Sequence, residues 1–240
     1  MAATMNRQKV ISLVIEQAEG KESGPKELPL FEQLVYGICR EDATVEQANM
    51  AFEQLKDRFF DWNEIRVSTA REVGSCFEGL SDPRARAVRL IGLFQEIFES
   101  NFSFDLELLA KKGAKAAQKQ LTRYKAVNDF LSAWVAQRSL DALSVPMDHS
   151  MRRCAARLAI VEVECAKDPE ECRTALEAVV PKAKADAFVD GLQAIAVGYC
   201  HEENPKCETC PARKSCPSAG KIAATAVKVT AKPKAPRKPR

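Results

Sequence analysis

Four cysteines fall within seventeen residues near the C-terminus: Cys200, Cys207, Cys210 and Cys216, in the run CHEENPKCETCPARKSC. Their spacing is Cys-x6-Cys-x2-Cys-x5-Cys. Thiolates are soft ligands, and four this close can surround one metal centre. Structural zinc held by four cysteines usually draws them from two Cys-x2-Cys knuckles. Here there is one such pair with a single cysteine on either side, which favours a cubane [4Fe-4S] cluster and leaves zinc as the competing ion. Four idle exposed thiols at this density would invite oxidation. The other five cysteines (Cys39, Cys76, Cys154, Cys165 and Cys172) are scattered. The N-terminus MAATMNRQKV has no apolar leader, so a disulfide framework is not expected and these five read as small buried apolar residues.

The elements that must position this loop read as helices. Apolar residues recur at helical spacing in 8–17 (Val10, Leu13, Val14), in the next stripe (Phe31, Leu34, Val35, Ile38), in 45–60 (Phe52, Leu55, Phe59) and in the segment up to Phe98 (Val88, Leu90, Ile91, Phe94, Ile97). Asp82 reads as an N-cap with Pro83 at the first helical position. Further helices are expected over 105–111, around Val127, Leu131, Trp134 and Val135, over 151–163 and over 184–199. Alternating strand patterns and internal repeats are absent, so the expected fold class is all-α. No apolar run is long enough to span a membrane, and a cytoplasmic monomer, nucleoid-associated if bacterial, is the expectation.

Charge is unevenly placed. The chain is formally +3. Residues 217–240 hold seven basic residues and no acidic one, and the remainder has more acidic than basic residues. Attraction to phosphate must therefore come from this tail or from local patches. KPKAPRKPR cannot build a core and is expected to be disordered, either as a solubilising tail or as a DNA-binding arm.

The cysteine loop, following the helix that ends GLQAIAVGYC, resembles the C-terminal iron–sulfur loop of the endonuclease III and MutY-type glycosylases of the helix-hairpin-helix superfamily. A second match is SVPMDHSMRRCAARLAIVE (144–162), similar to the family segment in which Val-Asp-Thr-His opens a helix ending in Arg-Leu. The resemblance places Asp148 at the catalytic aspartate, where a carboxylate stabilises oxocarbenium character as an N-glycosidic bond breaks. The residue-level alternative is that Asp148 only caps the helix. GLSDPRARAVRLI (79–91) matches the family's Gly-Leu-x-x-x-Lys-Ala step in general form.

Other positions depart from the family. Its hairpin reads Leu-Pro-Gly-Val-Gly-x-Lys, with eighteen residues from lysine to aspartate, and that count lands on Phe130. The Schiff-base lysine is thus missing, and a lyase step through that position is not expected. The hairpin becomes Tyr124-Lys125-Ala126-Val127-Asn128-Asp129, without the glycines that let backbone N–H groups approach a phosphate. Asn128 can still take a left-handed conformation, Arg123 and Lys125 can supply charge, and Asp129 opposes it. The segment 30–51 resembles the family's Leu-Ser-x-Gln-x-Thr-Asp helix–loop, with Asp42 at the residue inserted near the target nucleotide. Gly37 stands where adenine glycosylases carry a catalytic glutamate.

The resemblance implies a two-lobed all-α fold. A helical barrel would span 30–143, an iron–sulfur domain would join 1–29 to 144–216, and 217–240 would be the tail. It implies a base-excision-repair DNA glycosylase, probing double-stranded DNA with a damaged or mismatched base flipped out. The activity would be monofunctional, with Arg213 and Lys214 held near phosphate. The alternative is a non-catalytic DNA-binding or redox-sensing iron–sulfur protein on the same scaffold.

Overall fold

The computed structural model describes residues 2–19, 24–25, 27–219 and 221. Most of the basic tail, at 220 and 222–240, lies outside the described residues. Among those described there are twelve α-helices and no strand: α1 (Ala2–Glu16), α2 (Leu30–Arg40), α3 (Val45–Arg58), α4 (Trp62–Val67), α5 (Ala70–Ser75), α6 (Pro83–Asn101), α7 (Glu107–Ala110), α8 (Ala114–Leu121), α9 (Asp129–Ser139), α10 (His149–Arg157), α11 (Pro169–Glu177) and α12 (Ala185–Gly198). None is long and apolar enough to cross a membrane.

Side-chain caps explain where these helices start. Thr44 with Gln47 and Thr69 with Glu72 form capping boxes for α3 and α5. Asp61, Asp82, Asn128, Asp148 and Asp168 each accept a backbone N–H in the first turn of α4, α6, α9, α10 and α11. Pro83 and Pro169 stand at the first helical positions of α6 and α11. Helix α10 is shorter than its apolar pattern suggests. It ends at Arg157 rather than running to 163, because Ala159 turns left-handed (φ 54) and the Ile160 N–H folds back onto the Ala155 carbonyl at 2.9 Å.

Helix α2 is the hub. It is buried along nearly its whole length and packs against α3, α6 and α9. An aromatic cluster of Phe31, Trp62, Phe94 and Phe104, with ring centroids 4.8–6.0 Å apart, fills the space between α2, α4 and α6. The approach of α2 to α9 depends on Gly37: a Cβ there would stand 2.4 Å from Leu131 Cδ1 and 3.0 Å from Trp134 Cδ1. Helix α12 receives α1 on one side and α10 on another. It meets α1 at Gly191, where a Cβ would lie 1.9 Å from the Val14 carbonyl oxygen. Helix α12 is tied to α2 and α9 through Asp190, which accepts from Arg40 at 3.2 Å and from Arg138 at 3.3 Å. Both guanidinium groups are almost wholly buried; Arg138 also reaches Asp186 at 3.8 Å, so removing Asp190 would strand the Arg40 charge above all.

Candidate functional site

Asp148 caps α10 from a buried position, 2% exposed. Its Oδ1 accepts from the Met151 N–H at 2.7 Å and the Ser150 hydroxyl at 2.8 Å. Its Oδ2 accepts from Gln193 Nε2 at 2.7 Å and the Asp42 N–H at 3.0 Å. The four donors occupy the acceptor positions a carboxylate offers. Asp42 returns the contact, its Oδ1 accepting from the Ser150 N–H at 3.0 Å. The α2–α3 turn, with Asp42 left-handed at φ 50, is thereby clasped to the N-terminus of α10. Burial, and then the facing Asp42 carboxylate, raise the Asp148 carboxyl to about 7, against the pull of its donors.

The segment between α8 and α9 is closed by the chain's own carboxylates. Glu96 Oε2 accepts the Lys125 N–H at 2.8 Å, and Glu41 Oε1 accepts from Asn128 Nδ2 at 2.7 Å. Arg89 bonds both Glu41 Oε2 and, at 2.7 Å, the Ala126 carbonyl. Asn128 is extended (φ −85) and caps α9, and neither it nor Ala126 is left-handed. Asp129 pairs with Arg173 of α11 at 3.6 Å. Arg123 and Lys125 are exposed, but Arg123 lines a hollow that also holds Glu96 and Glu99. Phe130 is 2% exposed and stacks on Trp134 at 6.1 Å, a packing residue of α9. A side chain at Gly37 would have to displace Leu131 and press on Trp134, which leaves little space there for a glutamate.

Cys200, Cys207, Cys210 and Cys216 line one small, largely enclosed cavity floored by Leu158 and Ile195. None is in a disulfide. Among the described residues no three His, Cys, Asp or Glu side chains converge as they would on a single metal ion. The donor set nonetheless suits a larger group whose corners need separated sulfurs. It is all thiol, half-buried, and faced by a cation: Arg157 Nη1 donates to Cys200 Sγ at 3.5 Å and to the His201 carbonyl at 2.6 Å. Arg153 Nε donates to the Cys200 carbonyl at 3.1 Å, and Cys216 Sγ to the Arg157 carbonyl at 3.4 Å. The Cys200 thiol is lowered to about 6, chiefly by a hydrogen bond from Cys154 and further by Arg157. Arg213 borders the cavity and Lys214 is exposed beside it.

The structure adds residues that the sequence reading passed over. Cys154, grouped there with the scattered cysteines, lines the cysteine cavity. The other scattered cysteines sit elsewhere, with Cys39, Cys76 and Cys172 buried and Cys165 half-buried. His149, Arg152, Arg153 and Arg157 share one face of α10 and, with Lys167, line an open groove of about 550 Å³. Arg152 donates to the carbonyls of Ala166 (2.9 Å) and Lys167 (3.1 Å). Arg152 and Arg153 bond carbonyls rather than carboxylates, whereas Arg157 also faces Cys200 Sγ at 3.5 Å and Lys167 pairs with exposed Glu164. The i, i+3, i+4, i+8 spacing of these residues was a readable signal.

With this order of helices, an aspartate opening α10 and a cysteine loop after α12, the chain is similar in fold to solved DNA glycosylase structures. Among solved structures, a thermostable thymine-DNA glycosylase superposes with a TM-score of 0.64 at 17% identity, covering 92% of this chain and 100% of that one. A non-covalent endonuclease III–DNA complex gives 0.65 at 14% identity, covering 91% and 98%. The 8-oxoguanine glycosylase/lyase of Clostridium acetobutylicum, bound to double-stranded DNA, gives 0.58 at 12%, covering 79% and 67%. No family model matches the chain, and no curated protein matches it in sequence.

Proposed function

We propose that this chain is a duplex-DNA-binding iron–sulfur protein on a glycosylase scaffold, without a Schiff-base lyase step and with Asp148 serving as a clasp rather than a catalyst. The observation that carries this reading is the state of Asp148: buried, and held by four donors whose partial positive charges offset the anion that a developing oxocarbenium ion would need. Phe130, set into the core where a nucleophilic lysine would be required, supports the same conclusion. Cys200, Cys207, Cys210 and Cys216 would hold a [4Fe-4S] cluster, a group that supplies a rigid staple and a one-electron couple. Attraction to DNA would come from the α10 groove, with Arg213 and Lys214 adding charge from the loop and the basic tail acting as an arm, rather than from a hairpin faced with Glu41 and Glu96. The packing of α1 on α12 supports one domain made of 1–29 and 144–216, set against a second made of 30–143.

A second reading, a monofunctional glycosylase acting on a flipped damaged or mismatched base, has one observation in its favour. A carboxyl near 7 at the mouth of a helix is a common property of working acids and bases. It requires the Asp42 turn to release Oδ2.

The binding claim is tested by fluorescence-anisotropy titration of a short duplex over a salt series. With roughly three phosphates engaged by the groove, log K should fall against log salt with a slope of about −3. Arg152→Gln with Lys167→Gln should flatten that slope. Salt-insensitive or absent binding would refute the reading, and loss only on removing residues 222–240 would move DNA contact from the groove to the tail.

A further inference from the structure

We infer that the hollow between α3, α5 and α6 is a second DNA-backbone site, which a duplex seated on the α10 groove reaches once it is long enough. This rests on the reading that the α10 groove binds duplex DNA. The hollow holds about 1020 Å³ and is lined by Arg58 from the end of α3, Arg71 and Ser75 from α5, and Arg84 from the first turn of α6. All three arginines are exposed. Arg58 donates one N–H to the Ser75 hydroxyl, and among the described residues no carboxylate pairs with Arg71 or Arg84. Two acids share the lining. Glu72 is turned to the start of its own helix, where it accepts the Thr69 N–H at 2.9 Å and the Thr69 hydroxyl at 2.7 Å, while Glu78 is exposed. Guanidinium forks with free N–H groups match phosphate oxygens, so three of them in one hollow favour a polyanion over a neutral ligand.

The second observation is where the hollow lies. A run of contacts joins it to the α10 groove through the α2–α3 turn. His149, which lines the groove, opens α10, and the next residue, Ser150, donates its N–H to Asp42 Oδ1 at 3.0 Å. Beside Asp42, the Glu41 carbonyl accepts from Arg86, and Arg86 Nε donates to the Ser81 carbonyl at 2.7 Å. Gln47 of α3 holds the same turn through the Gly79 carbonyl at 3.1 Å. Asp82 then caps α6, whose first residues, Pro83 and Arg84, line the hollow. The Asp42 and Asp82 turns thus separate two arginine-lined surfaces. Their carboxylates repel phosphate, so a duplex is gripped at the two ends of this run rather than along its middle. A short duplex fills one surface, and only a longer one engages both.

Anisotropy titration of hairpin-closed duplexes of about 8 to about 24 base pairs, over a salt series, tests this with the full wild-type chain and Arg71→Gln/Arg84→Gln. Each phosphate contact contributes roughly −0.9 to the slope of log K against log salt. On the shortest duplex the two proteins should give the same slope; on the longest, the variant should be shallower by about two. Subtracting the variant removes the rise in slope that any longer polyanion brings. A difference of equal size at every length would be a loss of general positive charge and overturns the proposal. Slopes that agree at every length overturn it too, and leave the hollow to another anion. Both side chains are exposed, so the variant should unfold thermally at the wild-type midpoint. Should it not, Arg71→Gln and Arg84→Gln singly, each expected to lower the long-duplex slope by about one, decide by the same criteria. A wild type without salt-dependent duplex binding defeats the DNA reading together with the proposal. A slope flattened by Arg152→Gln/Lys167→Gln but never by Arg71→Gln/Arg84→Gln defeats the proposal alone.

Discussion

Raising the pH from about 5 to about 8 should destabilise the folded chain, and Asp148→Asn should abolish much of that loss. Burial first and Asp42 second raise the Asp148 carboxyl from its ordinary 3.8 to about 7. Between those values the unfolded chain has released the proton while the folded chain keeps it, so stability falls as pH rises. The contribution is fully present below about pH 4 and is lost as the pH passes about 7. A gap of roughly three units at about 1.36 kcal/mol each sets a ceiling of about 4 kcal/mol, a large share of the roughly 5–15 kcal/mol of a typical domain. The assay is urea unfolding followed by circular dichroism at several pH values, with the variant subtracted from the wild type so that other carboxylates cancel. The competing effect is the set of four donors, which favours the anion. A difference that stays flat, or that grows with pH, would show that those donors win and would refute the reasoning. Asp42→Asn should narrow the window, since it removes the second cause of the shift.

Three further outcomes follow from the packing. Gly37→Ala forces a methyl to 2.4 Å from Leu131 Cδ1 and should cost about 1–3 kcal/mol in thermal unfolding; wild-type stability would disprove the close α2–α9 contact. Phe130→Lys buries an ammonium against Trp134 and should cost roughly 3–5 kcal/mol, without yielding a borohydride-trapped adduct on abasic duplex; a trapped adduct would contradict the buried placement. Glu41→Gln with Glu96→Gln removes two carboxylates from the hairpin and should tighten duplex binding roughly two- to five-fold per charge, from about 0.5–1 kcal/mol each; unchanged affinity would mean that DNA does not approach this face.

Much of the fold was legible in the residues. Apolar stripes at 31–38, 45–59 and 88–97 became α2, α3 and α6, and Asp82-Pro83 began α6 as its cap chemistry suggests. The short helices α4, α5 and α11 carry too few apolar residues to show a stripe, and only their caps, Asp61, Thr69 and Asp168, announce them. The end of α10 was hidden because an alanine, not a glycine, takes the left-handed turn. The site was legible in one dimension only. Spacing grouped the loop cysteines but could not join Cys154 to them, since that contact depends on α10 lying against α12. Counting to Phe130 showed which side chain was missing, whereas the closing of the hairpin by Glu41 and Glu96 is a long-range arrangement. The saturation of Asp148 needs Gln193 and Asp42, both distant in sequence.

Base release bears most directly on the central claim. The purified, iron-loaded chain would be incubated with a panel of duplexes carrying oxidised, deaminated, alkylated and mismatched bases, beside Asp148→Asn. With Asp148 engaged as a clasp, neither protein should free a base above the uncatalysed background, although the duplexes are bound in a salt-dependent way. Release from any one lesion by the wild type, lost in Asp148→Asn while binding persists, would contradict this and make Asp148 a catalytic residue.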